Sequence, residues 1–278
     1  MDILEIYDRH HQVIHSVYSS RLKVQTLLTL IAGSASLARL RKVTGSTSQA
    51  IIPKIRSLER AGLVEPVAYD YRLTALGMVV AEQVEQYVTL MGGIGEHQMF
   101  WADHDLSAIP REFLARLGEL RNAEVKYDTS TDMFFVYTHY IDILKNAQYI
   151  HGLSSVASPG LASFLAQKVL EGVPVELLVN EDVINILKKE PYASNMAGLA
   201  DYSNFKIGVT REPLKVGLTV TDRYLSLGLF KKDTNLYDSS CDLFSNNAKA
   251  VAWGEGLFSY FRKKSKPLEL ASLFNPQD

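Results

Sequence analysis

The segment from Ser36 to Thr74, SLARLRKVTGSTSQAIIPKIRSLERAGLVEPVAYDYRLT, admits few folds. Ser36 can cap a short helix in which Leu37, Leu40 and Val43 recur every three residues, predicting a buried edge. Thr44-Gly45 then closes a turn, because glycine enters backbone conformations that other residues reach only at a cost. A second helix follows, capped by Ser46, and its Ile51, Ile55 and Leu58 stand at i, i+4 and i+7, which turns them to one core. Gly62-Leu63-Val64 leads into two short extended runs, Glu65–Tyr69 and Tyr71–Thr74, joined at Asp70. Helix, turn, helix and a short two-stranded wing is the order of a winged helix-turn-helix, a unit that reads duplex DNA.

That reading assigns roles to the outward residues. Arg39, Arg41 and Lys42 project from the first helix toward a sugar-phosphate backbone. On the second helix Ser46, Thr47, Ser48, Gln49, Ile52 and Arg56 face the bases. Gln49 can pair bidentately with adenine, serine and threonine read either partner, and Ile52 can touch a thymine methyl. Lys54 and Arg60 are placed for phosphates, and Arg72 is the wing's one cation. Pro53 breaks the local rule: inside a helix it removes a hydrogen bond and clashes with the preceding turn, at roughly 3 kcal/mol, so a kink is expected between Gln49 and Lys54.

Charge is distributed accordingly. Arg21 to Arg72 holds nine basic and three acidic residues, a net +6 in a chain whose total is -2. A basic head on an acidic body suits phosphate binding by one part of the chain. No apolar run is long enough to cross a bilayer, and MDILEIYDRHH is too acidic for a signal peptide, so a cytoplasmic protein without membrane contact is expected. The single cysteine, Cys241, excludes an internal disulfide and a multi-cysteine zinc site.

Around this segment, residues 1–19 and 20–32 read as helices. His11 and His15 share a helical face but lack a carboxylate or thiol in motif spacing, and no metal or other cofactor is expected. After the wing, LTALG opens a long helix through Val79, Val80, Val84, Tyr87, Val88 and Met91. Such a helix commonly pairs with its copy, because palindromic sites demand a two-fold protein, and a homodimer is expected. Gly92-Gly93-Ile94-Gly95 is expected to break that helix. The domain plan is therefore 1–91 for the DNA-binding unit with its flanking helices, 92–108 for a linker, 109–266 for an α/β domain and 267–278 for a tail. The overall class is α+β.

The run from Ser36 to Leu76, with Pro53 in the reading helix and YRLTALG after the wing, resembles the winged-helix transcriptional regulators of methanogenic archaea. FWADHDLSAIPREFLARLGEL, GVPVELLVNEDVINIL, VTDRYLSLGLF and WGEGLFSYF resemble that family's C-terminal domain, the methanogenesis regulatory protein middle domain. The resemblance covers nearly all of Arg21 to Lys264 and implies a ligand- or state-responsive transcription factor.

The residues of the second part carry their own reading. Helices are expected over Ile109–Leu120, Asp132–Ala147, Pro159–Glu171, Glu181–Lys189 and Asn246–Lys264. Strands are expected over Glu124–Tyr127, Tyr149–Leu153, Val173–Val179, Phe205–Val209, Val216–Val220 and Tyr224–Phe230, the last two a hairpin about Asp222-Arg223. Alternation of this kind indicates a sheet with parallel neighbours. The order also resembles a degenerate half of a phospholipase D-like fold, whose signature is His-x-Lys, four residues and Asp. With Asp222 as the aspartate, the other two positions are Lys215 and Gly217, so that chemistry lacks its nucleophile. Glu96, His97, His104 and Asp105 are ligands by type only. Tyr137, Tyr140, Tyr149, His151 and Tyr224 are candidates to line a pocket for a small-molecule effector, with Asp222 as a turn residue or ligand contact. The expected activity is non-enzymatic regulation; the alternative is a hydrolase or phosphotransferase on the α/β domain, with the winged helix as an interaction module.

Overall fold

Apolar spacing that reads as helix in the N-terminal third forms helix in the computed structural model, which describes residues 2–270. Helices α1 (Ile3–Tyr18) and α2 (Arg21–Ile31) precede a short strand β1 (Ala35–Ser36), α3 (Leu37–Thr44), α4 (Ser48–Arg60), β2 (Val64–Val67), β3 (Asp70–Leu73) and the 22-residue α5 (Ala75–Glu96). Leu27 and Leu30 of α2, Leu40 of α3, Ile51, Ile55 and Leu58 of α4, and Ala81 and Val84 of α5 close one core. The strands form a three-stranded sheet in the order β1-β3-β2.

Three local expectations are corrected in this unit. The buried residue ending α3 is Thr44, whose hydroxyl donates to the Leu40 carbonyl at 2.8 Å, whereas Val43 is 53% exposed. The cap of α4 is Thr47, whose side chain accepts from the Ala50 N–H at 3.3 Å, while the Ser46 hydroxyl is engaged with that of Thr44 at 2.7 Å. The wing turns at Ala68-Tyr69, with Val67 opposite Asp70, and Ala68 adopts a positive φ of 52°. Helix α4 runs without interruption through Pro53.

Two compact units divide between Thr89 and Leu90, inside α5. Residues 92–95 are helical, contrary to the expected break, and α6 (Gln98–Asp103) and β4 (His104–Asp105) occupy most of the remaining stretch expected as linker. Glycine at 93 answers a packing requirement: a Cβ there would lie 2.4 Å from the Leu117 carbonyl oxygen.

The second unit continues with α7 (Arg111–Leu114), a 3-10 turn (Leu117–Leu120), β5 (Glu124–Tyr127), α8 (Phe135–Leu144), β6 (Ile150–Ser154), α9 (Pro159–Leu170), β7 (Val175–Val179), α10 (Glu181–Leu187) and α11 (Tyr192–Ala197). It ends with β8 (Phe205–Thr210), β9 (Val216–Thr221), β10 (Leu225–Lys231), β11 (Cys241–Ser245), α12 (Ala248–Lys264) and β12 (Ser265–Leu268). The single helix expected over Ile109–Leu120 is interrupted because the Phe113 carbonyl accepts the Trp253 indole N–H at 3.0 Å and the Arg116 N–H at 3.0 Å. Part of the expected tail is β12, paired with β8; residues 271–278 lie outside the described residues.

The sheet runs β12-β8-β7-β6-β9-β10-β11-β5, with β4 paired to β10. Among the described residues only the β6-β7 and β7-β8 ladders are parallel, where strands alternate with α9 and α10-α11. Side chains alternate across the pleat. Thus Leu178 joins a core with Trp253, Leu257 and Phe258 of α12, while Val175 and Val179 join one with Leu165, Val183 and Met196 on the opposite face.

Candidate nucleic-acid interface and ligand cavity

Helix α3 ends on Gly45 in the left-handed conformation, φ 63°, which swings the chain into α4. With Ile51, Ile55 and Leu58 inward, Thr47, Gln49, Ile52, Pro53, Lys54, Arg56 and Arg60 are exposed, and Ser46 and Ser48 half-buried. Arg39, Arg41 and Lys42 are exposed on α3. Two of these cations have internal partners: Arg56 pairs with Glu59 at 2.8 Å and Arg72 with Glu65 at 2.7 Å. Lys23 is buried and donates to Ser16 at 2.7 Å. Burial depresses its pKa, and the charges of Lys54 and Arg60 depress it further, a sign of concentrated positive potential. The sequence reading missed Tyr69, 96% exposed at the tip of the wing. A lone aromatic between a β-strand and an aspartate carried no signal by itself.

The six residues proposed for an effector separate into groups. Tyr137 and Tyr140 line a largely apolar cavity of about 380 Å³ between the sheet and the α8–α11 layer. Asp222 and Tyr224 flank a different, shallow recess; the Asp222 carboxylate accepts the Gln148 N–H at 2.9 Å and pairs with Arg223. His151 stacks on Phe258 with ring centroids 4.7 Å apart and bonds Glu255 at 3.0 Å, and Tyr149 packs on His151. Burial pushes the Tyr149 phenol up to about 12, helped by Glu255.

The cavity's polar groups lie together on one wall. The Tyr140 hydroxyl meets that of Thr219 at 2.8 Å, and Ser226 donates to Asp242 Oδ2 at 2.5 Å. Among the described residues, Asp242 Oδ1 is buried without a hydrogen-bond partner. Burial, with some help from Asp238, pushes its carboxyl up to about 7. Asp242 was invisible to the sequence reading because β11 was not anticipated, and Ser226, in the expected strand β10, gains its role only from the Asp242 opposite. Lys215, at the phospholipase-type histidine position, pairs with Asp105 at 2.9 Å and holds that carboxyl down to about 2. At the lysine position, Gly217 leaves room for the Tyr237 hydroxyl, 2.8 Å from where a Cβ would stand.

Residues 11–92 match the N-terminal domain, and residues 133–264 the middle domain, of the family described as methanogenesis regulatory protein FilR1. The chain belongs to this FilR1 family. It is 28% identical over 258 residues to the methanogenesis regulatory protein FilR1 of Methanothrix harundinacea (strain 6Ac), covering 92% of this chain and 58% of that protein. Among solved structures, the FilR1-family chain is similar to TrmBL2, an archaeal chromatin protein, with 16% identity, a TM-score of 0.43, and coverage of 94% and 99% of the two chains. Similarity to a phosphatidylserine synthase from Haemophilus influenzae Rd KW20 is partial, with 16% identity, a TM-score of 0.38 and coverage of 53% and 39%. These likenesses do not support the expected phospholipase D-like half. No helix among the described residues is long and apolar enough to cross a membrane.

Proposed function

We propose that the chain is a DNA-binding transcriptional regulator, acting as a homodimer, whose C-terminal unit admits a small-molecule effector. The observation that carries the reading is α4: its core face is closed by Ile51, Ile55 and Leu58, and its free face offers Thr47, Gln49, Ile52, Lys54 and Arg56 at the N-terminal turns. A helix presented this way fits the major groove, with Arg39, Arg41, Lys42 and Arg60 set toward phosphates and Tyr69 and Arg72 at the wing. Membership of a regulatory-protein family supports this over the hydrolase or phosphotransferase reading.

The effector assignment rests on the cavity with Tyr137 and Tyr140 and on Asp242, whose free oxygen calls for a hydrogen-bond donor on an otherwise apolar ligand. Selection of bound sequences from random duplexes tests the function directly. A palindromic consensus is expected, and Gln49→Ala should lower affinity for it by about tenfold to a hundredfold while leaving nonspecific binding unchanged. No enrichment over input would sink the proposal.

A further inference from the structure

His104 follows α6, Asp238 lies in the connection after β10, and Cys241 begins β11; all three are buried, at 3%, 7% and 3% exposure. Their ligand atoms form a closed triangle. His104 Nε2 lies 3.2 Å from Asp238 Oδ2, Cys241 Sγ 3.4 Å from the same oxygen, and Sγ 3.7 Å from Nε2. A tetrahedral zinc ion with ordinary bond lengths requires edges of about 3.3 Å between nitrogen and oxygen, about 3.6 Å between sulfur and oxygen and about 3.6 Å between sulfur and nitrogen. Each observed edge agrees with its requirement to about 0.2 Å.

The neighbours orient these atoms as outer partners of a metal site do. His104 Nδ1 bonds the Phe100 carbonyl at 2.7 Å, which fixes Nδ1 as the protonated nitrogen and leaves the Nε2 lone pair facing Asp238. Asp238 Oδ1 accepts the Ser240 N–H at 3.1 Å and the Ser240 hydroxyl at 2.6 Å, so Oδ2 is the oxygen presented to the triangle. With His104 neutral, two acceptors face each other at 3.2 Å, and the one thiol proton can bridge only one contact of the three. Lys231 reaches Oδ2 at 3.4 Å through a half-exposed side chain.

We propose that His104, Asp238 and Cys241 bind a divalent transition-metal ion of the zinc class. Binding exchanges the thiol proton for the ion and ties the end of α6 to β11, segments more than a hundred residues apart. Three protein ligands leave a fourth position for water or a ligand atom, and Asp238 and Cys241 also belong to the wall of the 380 Å³ cavity. The sequence reading set His104 aside as a ligand by type and judged Cys241 alone; the fold brings them together.

Cobalt(II) titration of the untagged, full-length, metal-free protein tests this under anaerobic conditions. One equivalent should develop tetrahedral visible bands and a near-ultraviolet thiolate charge-transfer band, both displaced by zinc. Cys241 is the chain's only cysteine, so such a band assigns itself. Cys241→Ser should abolish the charge-transfer band and weaken binding at least about tenfold. If that variant does not fold, the wild-type spectrum still decides. A folded wild-type protein that shows no thiolate band, or binds cobalt only through its exposed N-terminal histidines with Cys241→Ser unchanged, would overturn the site and leave a hydrogen-bonded triad only.

Discussion

Arg56 Nη1 donates to both carboxylate oxygens of Glu59, at 2.8 and 3.1 Å, on the face of α4 that carries Gln49 and Ile52. The pair neutralises a cation on the face proposed to enter the major groove. Glu59→Gln removes that competitor and one negative charge from the interface. Affinity for duplex DNA should rise several-fold at low salt, and the slope of log affinity against log salt should steepen by up to about one. Anisotropy titrations at several salt concentrations check both; an unchanged affinity and slope would place the Arg56–Glu59 pair outside the DNA interface.

How much of this was legible depends on whether a signal was local. The inward stripe Ile51, Ile55, Leu58 and the Gly45 turn are properties of neighbouring residues, and they placed α3 and α4, though not the last buried residue of α3 or the cap of α4. Strand β11, CDLFS, is buried on both faces, so it shows no alternation and reads as connection. Losing it hid Asp242 from the cavity and Cys241 from His104. The glycines at 92–95 misled for a related reason: Gly93 is dictated by Leu117, a contact that no local pattern announces.

Lys23 supplies a pH test. Its folded-state pKa is lowered, by burial first and then by Lys54 and Arg60, so below that value the native state carries a charge that costs more than in the unfolded chain. The native state therefore binds fewer protons than the unfolded state between the lowered value and 10.5, and stability rises with pH across that window. Lys23→Met, which keeps the aliphatic stem, should remove the rise. Urea midpoints from pH 8 to 10.5 provide the measurement.

Helix α1 offers a test of the proposed homodimer. Ile3, Leu4 and Val13 are 71%, 66% and 65% exposed, and Val17 is the helix's only buried residue. Covering such side chains in a second copy stabilises by about 25 cal/mol for each Å² buried. Replacing Leu4 and Val13 together with glutamate should convert the protein to monomer in sedimentation equilibrium, with the helical signal retained, and should weaken binding to a palindromic site more than to a half-site. A dimer that survives both changes would assign the interface elsewhere.

The glycines of α5 make opposite predictions within four residues. A Cβ at Gly93 would stand 2.4 Å from the Leu117 carbonyl oxygen and 2.8 Å from the Gly118 Cα, both backbone atoms that move only with the 3-10 turn. Gly93→Ala should therefore cost about 1–3 kcal/mol. At Gly92 and Gly95 an added Cβ meets nothing within 4 Å, and both positions are helical. Alanine at either should stabilise by up to about 1 kcal/mol, through lost freedom of the unfolded chain and better helix propensity. Chemical denaturation of the three variants separates the outcomes. Equal, small effects at all three would mean that this stretch is the flexible connection its composition suggests, whereas a penalty confined to position 93 requires a continuous helix packed against Leu117.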